Sequence, residues 1–300
     1  MNIFKRLAMK TRNLLKVYDI VSAIPNRQIE AEQMSQASIM NQYKLMSRLL
    51  NPEEMPGFSD VGFKVYSQFD EDGILLYIFS LIGFTNRKIV EVCAGGGKEC
   101  NAANLIINHG CHGLLFDGDL NNIKKANKFF SQNKSTWLHP PICKHAWITK
   151  DNINSLIQEN GFEGEIDFFS LDVDGNDYWI WKEISVIRPR VVICETFASA
   201  PLDKAVTIPY KEDFDRFSPD NYSRYFLSAS PLAMKKLADE KGYRLFGAHK
   251  YGFNLIFLRN DVGNDVFPTI ELSSIPLNPY LQKLREERWP LVENGPWVNV

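Results

Sequence analysis

Cysteine is scarce in this sequence and never closely paired. Cys93, Cys100, Cys111, Cys143 and Cys194 are the five in 300 residues, an odd number with no C-x-x-C. That argues against a disulfide framework and for reduced thiols in a cytosolic setting. Long hydrophobic runs are missing too. No stretch approaches the roughly 20 apolar residues of a membrane-spanning helix, and no signal-peptide core is present. Neither charge is in surplus: 34 Lys and Arg against 36 Asp and Glu leave −2, which gives no support to a general nucleic-acid binder. What remains is an ordinary globular composition, 45% hydrophobic and 23% charged. It reads as a soluble, cytoplasmic protein.

The first fifty residues differ from the rest. Phe4, Leu7, Leu14, Tyr18 and Val21 share one helical face, while Lys5, Arg6, Lys10, Arg12 and Lys16 crowd the other. Such a helix packs on its own domain, builds an oligomer, or lies on an anionic membrane on the cytoplasmic side; packing is the default. A polar helical pattern continues over 27–50 until Pro52, Pro56 and Gly57 break it. The expected division is a helical extension, 1–56, and one α/β domain, 57–300.

Strand-like and helix-like runs alternate within that domain. EDGILLYIFSLIG is a helix closed by Gly83, KIVEVC a strand, and NAANLIINHG a helix closed by Gly110. GLLFDGD, EIDFFSLDVDGND and PRVVICE are further strands, and NIKKANKFFSQN a helix. Strands separated by helices imply a mostly parallel sheet. GYRLFGAHKYGFNLIFLRN reads instead as two strands around a short turn, an antiparallel hairpin that closes the sheet.

EVCAGGGKECN, 91–101, falls where such sheets bind ligands, at a strand's carboxyl end before a helix. A P-loop is excluded: Glu99 follows Gly97-Lys98 where Ser or Thr is needed, and Val92 stands in place of the first glycine. A dinucleotide fingerprint fits in part, through Gly95 and Gly97, with Cys100 at the third small position. The carboxylate of Glu91 suits a cationic ligand better than a pyrophosphate, because like charges repel where water is scarce. S-adenosylmethionine, with its sulfonium and ammonium, is such a ligand. Glu91-Val-Cys93-Ala-Gly95-Gly96-Gly97 resembles the [DE]-x-G-x-G-x-G loop of class I methyltransferases, with Cys93 at the first glycine. Asp117, 20 residues after Gly97, is placed to bind ribose hydroxyls, with Asp119 as the neighbouring alternative.

Taken in order, YSQFDEDGIL, EVCAGGGKECN, GLLFDGD and IDFFSLDVDGNDYWIW resemble the FkbM-type branch of class I S-adenosylmethionine-dependent methyltransferases over about 60–260. The resemblance implies a Rossmann-like fold and methyl transfer to a hydroxyl of a sugar, lipid or polyketide. It places Ser67 and Gln68 beside the cofactor, Glu91, Gly95, Gly96 and Gly97 around its methionine end, and Asp117 on its ribose. The sequence departs from the family at Cys93 and in the Asp174–Asp177 run, where Glu-Gly-His-Glu is common.

Methyl transfer to oxygen needs an aligned acceptor and a group to take its proton. Asp172, Asp174 and Asp177 follow one strand and Glu195 ends the next. One of them can act as base, or Asp172, Asp174 and Glu195 can hold a divalent cation such as Mg²⁺; the bland reading is that they cap helices. His145 and His249 are further candidate bases at strand ends. His109, Cys111 and His112 read as an ordinary turn, and Trp179 and Trp181 as core. The expected function is O-methylation of a glycan or related small-molecule acceptor. A nicotinamide-dependent oxidoreductase and a silent, partner-binding methyltransferase-like subunit are the alternatives.

Overall fold

The computed structural model describes residues 30–275 and 278–300. The basic segment 1–24 therefore lies outside the described residues. They open in helix α1, over 30–49, followed by a 3₁₀ turn at Pro52–Glu54 where the prolines end the pattern. A short α2, Phe58–Val61, leads to α3, Glu71–Ile82, closed by Gly83.

Seven strands then form one sheet. β1 (Lys88–Val92), β2 (His112–Asp117), β3 (Ile142–His145), β4 (Gly164–Leu171) and β5 (Ile187–Glu195) are parallel neighbours in the order β3-β2-β1-β4-β5. Between them run α4 (Ala103–His109), α5 (Leu120–Gln132), α6 (Ile153–Glu159) and α7 (Asp177–Glu183). β7 (Tyr243–Ala248) and β8 (Asn254–Arg259) form the expected hairpin, after α8 (Pro231–Glu240). β8 turns back against β5, Glu195 opposite Asn254, so the full order is β3-β2-β1-β4-β5-β8-β7 with β8 alone reversed. This is the mixed, mostly parallel α/β sheet, closed by an antiparallel hairpin, that the alternation implied.

The central strands are apolar at nearly every position because helices cover both faces. Val90, Leu114, Phe169, Trp181 and Phe257 pack on one side; Ile89, Leu115, Phe168, Ile78 and Ile106 pack on the other. The strand order reverses between β1 and β4, and the loops there diverge to leave a crevice at the carboxyl ends.

Two further parts bear on the site. α1 is docked on the domain: Gln36, 3% exposed, exchanges hydrogen bonds of 2.9 and 3.1 Å with Asn104 and meets His109 Nε2 at 2.6 Å. Between β5 and α8 runs a long insertion holding β6 (Val206–Thr207), which pairs with β9 (Val298–Asn299). Phe197, Phe226, Trp289 and Trp297 form a small aromatic core beneath it, and α9 (Pro279–Arg288) precedes β9.

Candidate active site

Glu91 is the penultimate residue of β1 and is 4% exposed. Its carboxylate does not face the crevice. It accepts the backbone N–H groups of Asn101 at 3.0 Å and Ala102 at 2.6 Å, and the Cys100 thiol at 3.1 Å. Burial pushes it up to about 7, while those three donors pull the other way. The expected contact with a ligand's methionine end is thereby corrected: Glu91 organises the loop and the start of α4.

The glycines are likewise turned toward protein. A Cβ on Gly97 (φ +80°) would come within 2.8 Å of the Phe130 ring, so glycine lets α5 close on the loop. Gly96 lies beside Lys125, and the Gly95 N–H donates to Asp117 Oδ2 at 2.8 Å. Cys93, in place of the motif's first glycine, keeps a glycine-like φ of +64° and opens its side chain to the crevice. Desolvation, and then Asp172, Asp117, Asp177 and Asp174, hold its thiol well above the usual range.

Asp117 ends β2, as read from the spacing. Oδ1 accepts from the Asp119 N–H at 2.8 Å and from Asn122 Nδ2 at 3.2 Å. With only the Gly95 N–H on it, Oδ2 retains acceptor capacity toward the crevice. Asp119 instead caps α5 through Asn121. Ser67 is fully buried, and Asp72 Oδ2 gathers its hydroxyl together with the N–H groups of Val65, Tyr66 and Ser67. Gln68 is exposed. Neither lines the cavity; Ser67 is held beside Tyr66, whose carbonyl accepts the Cys100 N–H at 3.1 Å.

At the ends of β4 and β5, Asp172, Asp174 and Glu195 each bring an oxygen within 4.8 Å of the others. Glu195 Oε2 is buried without a partner. Desolvation, then Asp174, pushes Asp172 up to about 6; desolvation, then Asp172, holds Glu195 well above the ordinary carboxylate range. Asp177 has a different role from its neighbours. Fully buried as the first residue of α7, it accepts from the N–H groups of Val173 and Gly175 and from Ser228 Oγ, and burial raises it to about 7.

His145 does not join this ledge. It pairs with Asp117 across β2–β3, its Nε2 lies 3.1 Å from the Gly118 carbonyl, and β2 and β1 separate its strand from β4. Three strand spacings make roughly 14 Å, too far to take a proton from an oxygen held at Asp172. His249 is 2% exposed among Phe69, Tyr251 and Phe253, and desolvation lowers it to about 4.

Between Asp117 and the ledge lies a cavity of about 410 Å³. Gly118, Ala146, Trp147 and Ile148 wall the end near Asp117; Phe214, Arg216 and Phe217, from the insertion, wall the other. The insertion crosses the mouth as a strap tied on both banks. Trp147 Nε1 donates to the Glu212 carbonyl at 2.8 Å and Asn176 Nδ2 to the Lys211 carbonyl at 2.7 Å. Phe214 packs on Gly175, and Arg216 pairs with Asp174. Nothing in the sequence marks Arg216 and Phe217, which fall in a stretch without periodicity.

No protein-family model matches the chain, and no curated protein matches it. Among solved structures it is similar to the N-terminal domain of EvdMO1 with S-adenosylhomocysteine bound, at 12% identity over 74% of this chain and 95% of that one, TM-score 0.43. An O-methyltransferase from Bacillus cereus in complex with S-adenosylhomocysteine is similar at 14% identity, over 73% and 89%, TM-score 0.41. Magnesium protoporphyrin IX methyltransferase from Synechocystis PCC 6803 with bound S-adenosylmethionine follows at 12%, over 63% and 77%, TM-score 0.38. At such scores the likeness carries no argument about chemistry, which rests on the geometry above.

Proposed function

We propose that this chain is an S-adenosylmethionine-dependent O-methyltransferase of FkbM type, acting on a hydroxyl of a sugar, glycan or related metabolite. The observation that carries the reading is the position of Glu91. A dinucleotide's pyrophosphate is usually seated on the first free amides after such a glycine loop. Here the Asn101 and Ala102 amides are already taken by the protein's own carboxylate. What the cavity offers instead is acid on both banks and apolar wall between, which suits a cofactor with a ribose, an adenine and a net positive charge.

The residues present fit that cofactor. Asp117 Oδ2 would accept a ribose hydroxyl, Ala146, Trp147 and Ile148 would flank the adenine, and the acid bank would face the cationic end. A cavity of about 410 Å³ falls within the range of small-molecule sites. When bound, S-adenosylmethionine would supply a methyl group, its bond to sulfur breaking as the bond to the acceptor oxygen forms. The acceptor's proton then needs a base, and Asp172 or Asp174, both lining the cavity, would take it. The oxygens of Asp172, Asp174 and Glu195 would also hold a divalent cation, which lowers the pKa of a bound hydroxyl.

Calorimetric titration with S-adenosylhomocysteine, with NADH in parallel and with and without EDTA, tests the reading. Micromolar binding of S-adenosylhomocysteine alone is expected. Binding of NADH alone would overturn the proposal in favour of an oxidoreductase, and EDTA sensitivity would assign the cation.

A further inference from the structure

We infer that the strap carries the acceptor subsite, and that this subsite selects an uncharged, polyhydroxylated ring over phosphorylated or carboxylated sugars. The inference rests on the cofactor reading above and adds the charge class of the acceptor and the residues that select it.

Space comes first. A cavity of about 410 Å³ accommodates one cofactor-sized molecule. With the cofactor in place, the acceptor is left the mouth, beside the acid ledge and under the strap. Four carboxylates line this cavity, those of Asp117, Asp172, Asp174 and Asp215. Among the described residues, Arg216 is the one cation lining it, and it is paired with Asp174. Of the lysines nearest along the chain, Lys211 lies 3.5 Å from Asp213, Lys150 sits 4.7 Å over the Tyr210 ring, and Lys144, exposed on β3, does not line the cavity. A phosphate or carboxylate entering here meets an excess of negative charge, and the one lining cation is already paired. A neutral ring meets hydrogen-bond acceptors suited to its hydroxyls.

The strap also supplies a stacking face. Phe217 is 72% exposed although it lines the cavity, and the Arg216 guanidinium covers one side of its ring at 5.1 Å. The other side is open at the mouth. Exposed aromatics stack on the apolar C–H face of a sugar ring, which would turn its hydroxyls toward Asp172 and Asp174. The selectivity therefore comes from Phe217 for shape and from Asp215, with the ledge, for charge.

The test uses full-length protein saturated with S-adenosylhomocysteine and saturation-transfer NMR. The probes are neutral methyl glycosides of hexoses and 6-deoxyhexoses, glucose 6-phosphate and glucuronate. Contact with one face of a neutral glycoside and none with the two anions is expected. Phe217→Ala should weaken the glycoside roughly three- to tenfold while Phe217→Tyr retains it, and Asp215→Lys should admit glucose 6-phosphate. Preference for an anion, indifference to Phe217→Ala, or no glycoside contact despite bound S-adenosylhomocysteine would overturn this inference alone. Failure of S-adenosylhomocysteine to bind would overturn it together with the cofactor reading.

Discussion

At the scale of single residues, two carboxylates that look alike in the sequence do opposite work. Asp117 lines the cavity and has an oxygen with a single protein donor on it, whereas Glu91 does not line the cavity and turns its carboxylate to Cys100, Asn101 and Ala102. Asp117→Ala should accordingly weaken S-adenosylhomocysteine by roughly 1–3 kcal/mol, the cost of leaving buried partners unpaired, measured by calorimetry. Glu91 should reveal itself in stability instead. Its value rises from 4.5 to about 7 on folding. Between those two pH values the folded protein holds a proton that the unfolded chain has released, so stability falls as pH rises through the window. Glu91→Gln lacks that component. Denaturant titrations at several pH values should show the wild type losing on the order of 3 kcal/mol relative to the variant from pH 4.5 to 7; parallel curves would refute the assignment. Spacing located both acids correctly and could not tell their roles apart. A carboxylate near the end of β1 can turn to the crevice or to the amides of the next helix, and only the path of the loop through Cys100 decides. His145 was misread for a related reason: it is at a strand end, but on a strand whose place in the sheet the sequence does not state.

At the scale of elements, α3, β1, α4 and the β7–β8 hairpin were legible, because apolar periodicity and closing glycines are local signals. The strap was not. Arg216 lies 42 residues from Asp174, in a segment with neither periodicity nor glycine punctuation, and the two meet only because β5 and α7 are already in place. Its ties are side-chain bonds to carbonyls, one surface ion pair and one aromatic contact, with little buried apolar area, so it belongs among the locally least stable parts of the fold. Lys211, Arg216 and Arg224 make it a substrate for trypsin. Cleavage there should precede cleavage of the sheet, and S-adenosylhomocysteine should slow it several-fold. Equal rates with and without the ligand would detach the strap from the site.

At the scale of the whole molecule, the described part of the N-terminal helical extension, 30–49, is fastened to the α/β layers. Gln36 pairs with the buried Asn104 amide and meets the half-buried His109, and Tyr43 meets the Tyr77 ring edge-on at 4.8 Å. Gln36→Leu should cost roughly 1–3 kcal/mol of unfolding free energy and leave the affinity for S-adenosylhomocysteine unchanged; a loss of ligand binding at equal stability would instead place α1 in the site's machinery. The same view of the whole gives the strand order a meaning for synthesis. β5 leaves the ribosome long before its neighbour β8, and β7, made between them, pairs with β8 and not with β5. Until residue 259 has emerged, β5 presents a row of unpaired backbone groups on a strand that is apolar along most of its length. The nascent chain thus carries a sticky edge for the time needed to add some sixty residues, from Glu195 to Arg259, and that interval, rather than any weakness of the finished sheet, is where a trigger-type chaperone would be needed.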